Sequence, residues 1–182
     1  PGIPYGNSQA HAGFRGSISL APETLAAVVR DIALSLIEQG FWRIAVLNFH
    51  GGNLVLKITV REVNLAQGRG KVVLCHPWLE LGDEVSKILE SAHEEQHAGE
   101  METSMMLHLA PEQVGDERID HVPDVGPVYF DYAPMKEFCP DGVWGRPSLA
   151  TAEKGKRLLD AMVDRTTARV EETFRRLDAV RR

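Results

Sequence analysis

Residues 42–53 read WRIAVLNFHGGN, an apolar run that ends in a histidine, two glycines and an asparagine. The run 42–47 carries a single charge, Arg43, and its apolar character is typical of a central strand in a sheet covered on both faces. Apolar positions then repeat at helical spacing from Leu54 to Leu65. A strand, a glycine turn and a helix therefore place His50 at the carboxyl end of a strand, where open α/β sheets bind ligands.

Helical and strand-like segments alternate along the rest of the chain. A helix is predicted from Pro22 to the break at Gly40, and a strand at 71–75 follows the helix 54–65. Further helices are predicted at 79–89, at 100–109 and from Thr151 onward. Strand, helix and strand with short links form a parallel pair joined by a right-handed crossover, so the predicted class is α/β.

Length and composition indicate an ordinary globular protein. The chain has 182 residues, of which 43% are hydrophobic and 25% charged, which predicts one domain over 1–182. The net charge of -6 argues against nucleic acid or an anionic membrane as a partner. Cys75 and Cys139 lie far apart without a CxxC partner, which argues against a disulfide framework or a structural zinc site. Free thiols in a reducing compartment, and hence a cytoplasmic location, are expected.

Residues 111–148 are rich in proline, glycine, aspartate and aromatic residues and show no clear period. This composition predicts either a long functional loop or an oligomer contact region. Its aromatic residues could serve subunit contacts or pack back onto their own domain, and both interpretations remain open at this point. The aromatic residues concerned are Tyr129, Phe130, Tyr132 and Phe138.

A second polar motif, HAGEMETS, occupies residues 97–104. Imidazole and carboxylate are the ligand set for zinc, manganese or iron in hydrolytic sites. Because Glu100 and Glu102 are two positions apart, they cannot both face one pocket from a helix, and one of them should be solvated. Each motif also has an ordinary interpretation, since His50 could simply cap a turn and the HAGE run could be an exposed helix start.

A third polar segment precedes these motifs and comprises YGNS at 5–8, then His11, then FRGSIS at 14–19. Taken in this order, the segments resemble the creatininase family, also called creatinine amidohydrolase-like proteins. The resemblance spans nearly the whole chain and is specific as a set: YGxS with its histidine, FxGSIS, NxHGGN, HAGExETS, and GxPSLATAEKG at 145–155. It implies a three-layer α/β/α sandwich with a mostly parallel central sheet.

The resemblance also implies chemistry and assembly. Members of the family are metal-dependent hydrolases that hold two divalent ions, zinc, manganese or iron, and they commonly form hexamers, so a homo-oligomer is expected. By position, His50 resembles a metal ligand, Glu102 a second ligand or the residue acting on the water, and His97 a catalytic histidine. The residues that resemble substrate-binding positions are Ser8, His11, Asn53 and Trp78.

Three functions follow as hypotheses. The leading one is a metal-dependent amidohydrolase in which water activated by two metal ions attacks a C–N bond of a small amide, cyclic amide or formamide. The second is a hydrolase of a non-amide substrate such as a cyclic sugar ketone or a lactone. The third is a degenerate family member without chemistry that acts as an assembly or ligand-binding subunit.

Two departures from the family pattern qualify the resemblance. Family members carry an upstream segment with a glutamate, a histidine and an aspartate that supply most other metal ligands, so the domain is predicted to be amino-terminally incomplete. Gly52 stands where enzymes that open creatinine tend to have a glutamate, and His93 stands where a tryptophan is expected. The chain is therefore predicted to be an HGGN-type member for which creatinine is not the substrate.

Overall fold

A computed structural model describes residues 1–66, 68 and 70–181. These residues form two compact units. Unit 1 contains Pro1–Gln9, Ile18–Glu80 and the described residues from Asp164 onward, and unit 2 contains Ala10–Ser17 and Leu81–Val163. A single domain over 1–182 stays a prediction, and it includes three residues outside the described part, namely Gln67, Arg69 and Arg182.

Unit 1 has the strand, helix and strand that the sequence predicts. Its two strands pair in parallel, with Arg43 opposite Lys71 and Leu47 opposite Cys75. Because parallel strands need a crossover, the helix between them connects the carboxyl end of the first strand to the start of the second. The elements are α1 (Pro22–Glu38), β1 (Arg43–Leu47), α2 (Val55–Ala66) and β2 (Lys71–Cys75).

Helices cover both faces of this sheet. Ile44 and Val72 point to the face where α1 and α2 pack, in a core that includes Ile37 and Val60. On the opposite face, Val73 and Cys75 pack against Phe174 of the last helix, α6 (Ala152–Arg181). Neighbouring residues of a strand point to opposite faces, so the single strand β2 serves both cores.

The α/β class with a parallel sheet is thereby confirmed, and unit 1 has three layers. The expected central position of β1 is not seen. In the part of the chain that the structure describes, β1 pairs with β2 alone, and Leu47 on β1 is exposed. The apolar run therefore predicted a strand correctly but overestimated how much of it is covered.

The prediction of one continuous helix over 79–89 is wrong. Two short helices stand there instead, α3 (Pro77–Glu80) and α4 (Glu84–Ile88). Gly82 lies between them with a φ of 52°, a left-handed conformation that interrupts a right-handed helix and that glycine adopts without steric cost. The next helix, α5 (Glu100–Leu109), and the long α6 agree with the sequence prediction.

Residues 111–148 of unit 2 contain short 3-10 helices and a small aromatic core. Met135, Cys139 and Trp144 are buried there. The rings of Phe130 and Phe138 lie 5.2 and 5.6 Å from the Trp144 ring, whereas the aromatic residues Tyr129 and Tyr132 are exposed. Two of the four loop aromatics thus pack onto their own unit. The short helices are Pro111–Gln113, Pro127–Asp131, Met135–Glu137 and Pro147–Leu149.

Within the described residues, none of the helices has the length and apolar character that crossing a bilayer requires. Cys75 and Cys139 are buried free cysteines, and burial raises the pKa of both thiols. Because the thiolate is the reactive form of cysteine, both side chains behave as small apolar groups.

Candidate active site

The carboxyl end of β1 borders a cavity in unit 1. The cavity has a volume of about 650 Å³ and lies among the first residues of the chain, α1 and β1. Ser8, His50 and Asn53 line it. The structure therefore brings three of the predicted site residues together around one opening at the end of a strand.

His50 is held against the amino-terminal segment. Its Nε2 atom lies 3.0 Å from the carbonyl oxygen of Asn7 and 3.4 Å from the Ser8 hydroxyl. A carbonyl oxygen can only accept, so Nε2 carries a proton in this arrangement. A Cβ atom on Gly52 would lie 2.4 Å from the Asn7 oxygen and 2.7 Å from Nε2 of His50, so this close approach requires glycine.

Two asparagines connect this histidine turn to its surroundings. Asn53 Oδ1 accepts from the Asn7 amide at 2.8 Å, and Asn53 Nδ2 donates to Asn48 Oδ1 at 2.9 Å. Asn48 also lies 3.1 Å from Nδ1 of His76, and the His76 ring meets Trp78 edge to face at 5.2 Å. We call Asn48, His50, Asn53 and His76 the strand-end cluster, which Trp78 adjoins.

Unit 2 holds a second cluster, made of His11, His97 and Glu102. The two imidazole rings lie 4.3 Å apart between centroids, and His97 Nδ1 is 4.0 Å from the Glu102 carboxylate. Glu102 also accepts the amide N–H of Ala98 at 2.5 Å, where Ala98 has a φ of 51°. We call this group the imidazole–carboxylate cluster. It combines a ring that can carry a proton with a carboxylate that can orient that ring.

The start of α5, which carries Glu102, is capped by a side chain from outside the helix. The Glu95 carboxylate accepts the amide N–H groups of Glu100 at 2.8 Å and Met101 at 2.9 Å. Such N–H groups have no partner within the helix, so an external acceptor satisfies them. Burial raises the pKa of Glu95, although the amide donors act in the opposite direction.

Glu100 lies on the buried side of α5, opposite Glu102. It is 0% exposed, whereas the Glu102 side chain is 48% exposed, as expected for residues two positions apart. Glu100 accepts from the Ser91 hydroxyl at 2.7 Å and from Lys154 Nζ at 2.5 Å. Burial acts to raise the pKa of Glu100, but Lys154 and the Ser91 donors outweigh it and hold that pKa below the usual range.

Comparison with known proteins identifies the family. The creatininase profile, described as creatinine amidohydrolase, matches residues 1–170. This chain belongs to the creatininase family. It is 32% identical over 185 residues to a mycofactocin precursor peptide peptidase of Mycobacterium ulcerans, with 93% of this chain and 64% of the relative covered. It is 30% identical to a creatinine amidohydrolase of Pseudomonas putida, with 96% of this chain and 74% of the relative covered.

Solved creatininases have the same fold. A manganese form superimposes with a TM-score of 0.77 at 29% identity, with 96% of this chain and 75% of that chain covered. A creatininase variant of the Zn–Zn type gives a TM-score of 0.74 at 28% identity, with 93% and 72% covered. The family member described here spans 64% of the length of the mycobacterial relative.

The metal ligands implied by the family resemblance stay predictions. Among residues 1–66, 68 and 70–181, no group of three or more histidine, cysteine, aspartate or glutamate side chains could hold a metal ion. His50 donates from Nε2 to the Asn7 carbonyl, and metal-ligating histidines commonly donate their second ring N–H to a carbonyl in this way.

Most of the sequence-predicted residues belong to one of these two clusters, and the functional roles of all of them stay predictions. The two outside the clusters are neighbours of one, since Ser8 contacts His50 and Trp78 contacts His76. Several residues that hydrogen-bond within or beside the clusters were not predicted from the sequence, because their partners are distant along the chain or belong to the backbone. The motifs could have indicated two of them, since Asn48 is the first residue of the NxHGGN motif and Lys154 lies in the GxPSLATAEKG segment. The residues missed are Asn48, His76, Ser91, Glu95 and Lys154.

Proposed function

We propose that this creatininase-family chain takes part in hydrolysing a C–N bond of a small amide, cyclic amide or formamide. Family membership supports the proposal, as do the names of two relatives, an amidohydrolase and a peptide peptidase. The observation that carries it is the imidazole–carboxylate cluster, in which His97 stands 4.0 Å from Glu102 and beside His11. The arrangement supports proton transfer at a half-exposed position.

The chemistry of amide hydrolysis explains why such a cluster is needed. An oxygen atom of water forms a bond to the carbonyl carbon, the C–N bond breaks, and the departing nitrogen must receive a proton. We assign this proton transfer to His97. Its neighbour Glu102 would orient the imidazole and stabilise the imidazolium that forms when His97 holds the proton.

The proposed substrate is a small amide other than creatinine. Gly52 stands where the resemblance leads one to expect a glutamate in creatinine-opening enzymes, and a side chain there would collide with Asn7 and His50. The turn is therefore built without room for an additional ligand at position 52. A formamide, a cyclic amide or a short peptide fits the proposal better than creatinine does.

Dependence on zinc or manganese is part of the proposal. This part is supported by solved creatininases, which include a manganese form and a Zn–Zn form. The two-ion stoichiometry rests on the same support, and bound ions would lower the pKa of a water and polarise the amide carbonyl. Removal of metal by a chelator should abolish hydrolysis, and readdition of Mn²⁺ or Zn²⁺ should restore it. Full activity in the chelated protein, with metal absent by elemental analysis, would contradict this part.

Cytoplasmic location and homo-oligomeric assembly also stay proposals. The reducing compartment is supported by the two buried free cysteines. A homo-oligomer is supported by the exposed loop aromatics Tyr129 and Tyr132. Sedimentation of the purified protein tests the assembly, and a monomer at micromolar concentration would contradict it.

A substrate screen tests the leading proposal. The metal-supplemented protein is incubated with creatinine, N-formylglycine, a short peptide and a simple lactone, and the released amine or acid is measured. We expect turnover of an amide other than creatinine, reduced about 100- to 10,000-fold in His97→Ala. His108→Ala, at the exposed far end of the same helix, is the matched control and should retain the activity. Turnover of the lactone alone would contradict amide hydrolysis and support the second hypothesis, a hydrolase of a non-amide substrate.

A further inference from the structure

We infer that His76 is a further substrate-contacting residue of the strand-end cluster and that Asn48 positions it, a role that rests on the proposed hydrolase function. His76 directly follows β2, and Asn48 directly follows β1. The strands are parallel, and the Asn48 amide continues their ladder by donating to the Cys75 carbonyl at 2.8 Å. Asn48 and His76 therefore stand side by side at the carboxyl edge of the sheet, where α/β proteins bind ligands.

Asn48 is buried, with 3% exposure, and its carboxamide is fully engaged. Its Oδ1 accepts from the His50 amide at 3.3 Å and from Asn53 Nδ2 at 2.9 Å. Its Nδ2 donates to the His50 carbonyl at 2.9 Å and lies 3.1 Å from Nδ1 of His76. One side chain thus links the histidine turn after β1 with the histidine after β2. A buried carboxamide with every position bonded has one stable orientation.

The backbone of His50 determines that orientation. A backbone N–H can only donate, so Oδ1 of Asn48 must face the His50 N–H. A backbone C=O can only accept, so Nδ2 of Asn48 must face the His50 C=O. It follows that a donor group, the Asn48 NH₂, faces His76. Nδ1 of His76 must then accept with its lone pair, and the proton of the neutral ring is on Nε2.

The second ring nitrogen of His76, Nε2, is consequently a hydrogen-bond donor. Within the described residues, Nε2 of His76 has no protein partner, and the side chain is half-buried. Trp78 packs edge to face against the ring, with an interplanar angle of 80°, and limits its rotation. An N–H donor beside an indole suits a ligand that presents a carbonyl or carboxylate oxygen next to an apolar group. Small amides and their acid products have such oxygens.

Nitrogen NMR of histidine-labelled protein tests the tautomer without any need for activity. In the native protein, His76 should show an unprotonated Nδ1 and a protonated Nε2. In Asn48→Asp the new carboxylate can only accept, so the proton should move to Nδ1. Asn64→Asp is the matched control, because Asn64 bonds to Val72 and does not contact His76. A protonated Nδ1 in the native protein, or an unchanged tautomer in folded Asn48→Asp, would overturn the inference.

Titration with N-acetylglycine, which carries both an amide and a carboxylate, tests the contact itself. We expect the His76 side-chain signals to shift on binding, and no shift at saturation would overturn the contact. For an amide that is turned over, His76→Leu should raise KM about tenfold with kcat unchanged within about twofold, since a hydrogen bond to a ligand contributes on the order of 1.4 kcal/mol. His76→Gln, which retains an N–H donor, should recover part of the loss.

The outcomes separate this inference from the proposed function. If His97→Ala abolishes hydrolysis while His76→Leu leaves KM unchanged, the His76 inference fails and the proposed function stands. If no amide is hydrolysed, the proposed function fails, and the tautomer and the N-acetylglycine titration still decide the role of Asn48 and His76. A fold check by circular dichroism accompanies each variant, so that loss of structure is not counted as loss of contact.

Discussion

At the scale of single residues, Gly52 and Asn48 control the geometry of the turn after β1. Asn48 holds the His50 backbone through two hydrogen bonds, and Gly52 leaves the space in which the His50 ring reaches Asn7. Neither residue carries a charge or a nucleophile. Their identity matters because the turn is crowded, and crowding is a property that only the folded chain has.

Gly52→Ala should destabilise the turn. The new methyl group would meet the Asn7 oxygen at 2.4 Å, and this atom belongs to the backbone and cannot simply rotate away. We expect a loss of about 1–3 kcal/mol in the free energy of unfolding, measured by urea denaturation. Gly51→Ala is the matched control, since a Cβ there meets nothing within 4 Å. Equal stability of the two variants would contradict the crowded turn.

Glu100 gives a prediction for the dependence of stability on pH. Its pKa is lowered in the folded protein, so its contribution is present above the usual carboxyl value of about 4.3 and is lost as the pH falls through the folded pKa. Glu100→Gln should cost about 3 kcal/mol of unfolding free energy at pH 7, because Lys154 loses its buried partner, and progressively less in acid.

Urea denaturation of this variant between pH 3 and pH 7, roughly the range in which carboxyl groups titrate, checks that expectation. Exposed Glu153, in the first turn of α6, provides the control, and Glu153→Gln should remain within about 0.5 kcal/mol of the native protein. A Glu100→Gln loss that does not shrink toward low pH would show that the carboxylate is not the stabilising form.

At the scale of elements, α5 depends on a side chain that precedes it. Gly99 at the helix start supplies no side-chain cap, and Glu95 supplies the acceptor for two helix N–H groups instead. The same helix carries Glu102 on its exposed side and Glu100 on its buried side. The start of α5 therefore links the buried ion pair to the imidazole–carboxylate cluster.

Removal of this cap should loosen the first turn of α5. Glu95→Ala is expected to cost about 0.5–2 kcal/mol and to speed hydrogen exchange of the Glu100 and Met101 amides. Glu95→Gln should cost less, because it retains an acceptor oxygen and avoids burying a charge. Unchanged exchange at both amides in Glu95→Ala would mean that another group caps the helix.

The sequence predicted the elements with a clear apolar pattern or strong boundary residues well, and the irregular segments poorly. α1, α2, β2, α5 and α6 have apolar periods or strong boundary residues, and the structure has them where the pattern indicates. The segment 79–89 has helical spacing too, but Gly82 breaks it. In 111–148 no period exists, so the packing of Phe130 and Phe138 around Trp144 could not be read from spacing.

At the scale of the whole molecule, family membership and the α/β class are predictable from motifs, whereas the pairing of side chains is not. Glu100 and Lys154 are separated by 54 positions, and Asn48 and His76 by 28. Motifs identified the segments that matter but not which atoms bond. Within the described residues, no group of three or more histidine, cysteine, aspartate or glutamate side chains could hold a metal ion, so the binuclear centre implied by the resemblance stays a prediction.

The most direct measurement of C–N hydrolysis uses water labelled with heavy oxygen. The metal-supplemented protein is given the amide that the screen identifies, and the acid product is weighed by mass spectrometry. Hydrolysis predicts one labelled oxygen in each acid molecule and a rate that falls about 100- to 10,000-fold in His97→Ala but not in His108→Ala. Unlabelled product, or equal rates in the native protein and His97→Ala, would contradict amide hydrolysis assisted by His97.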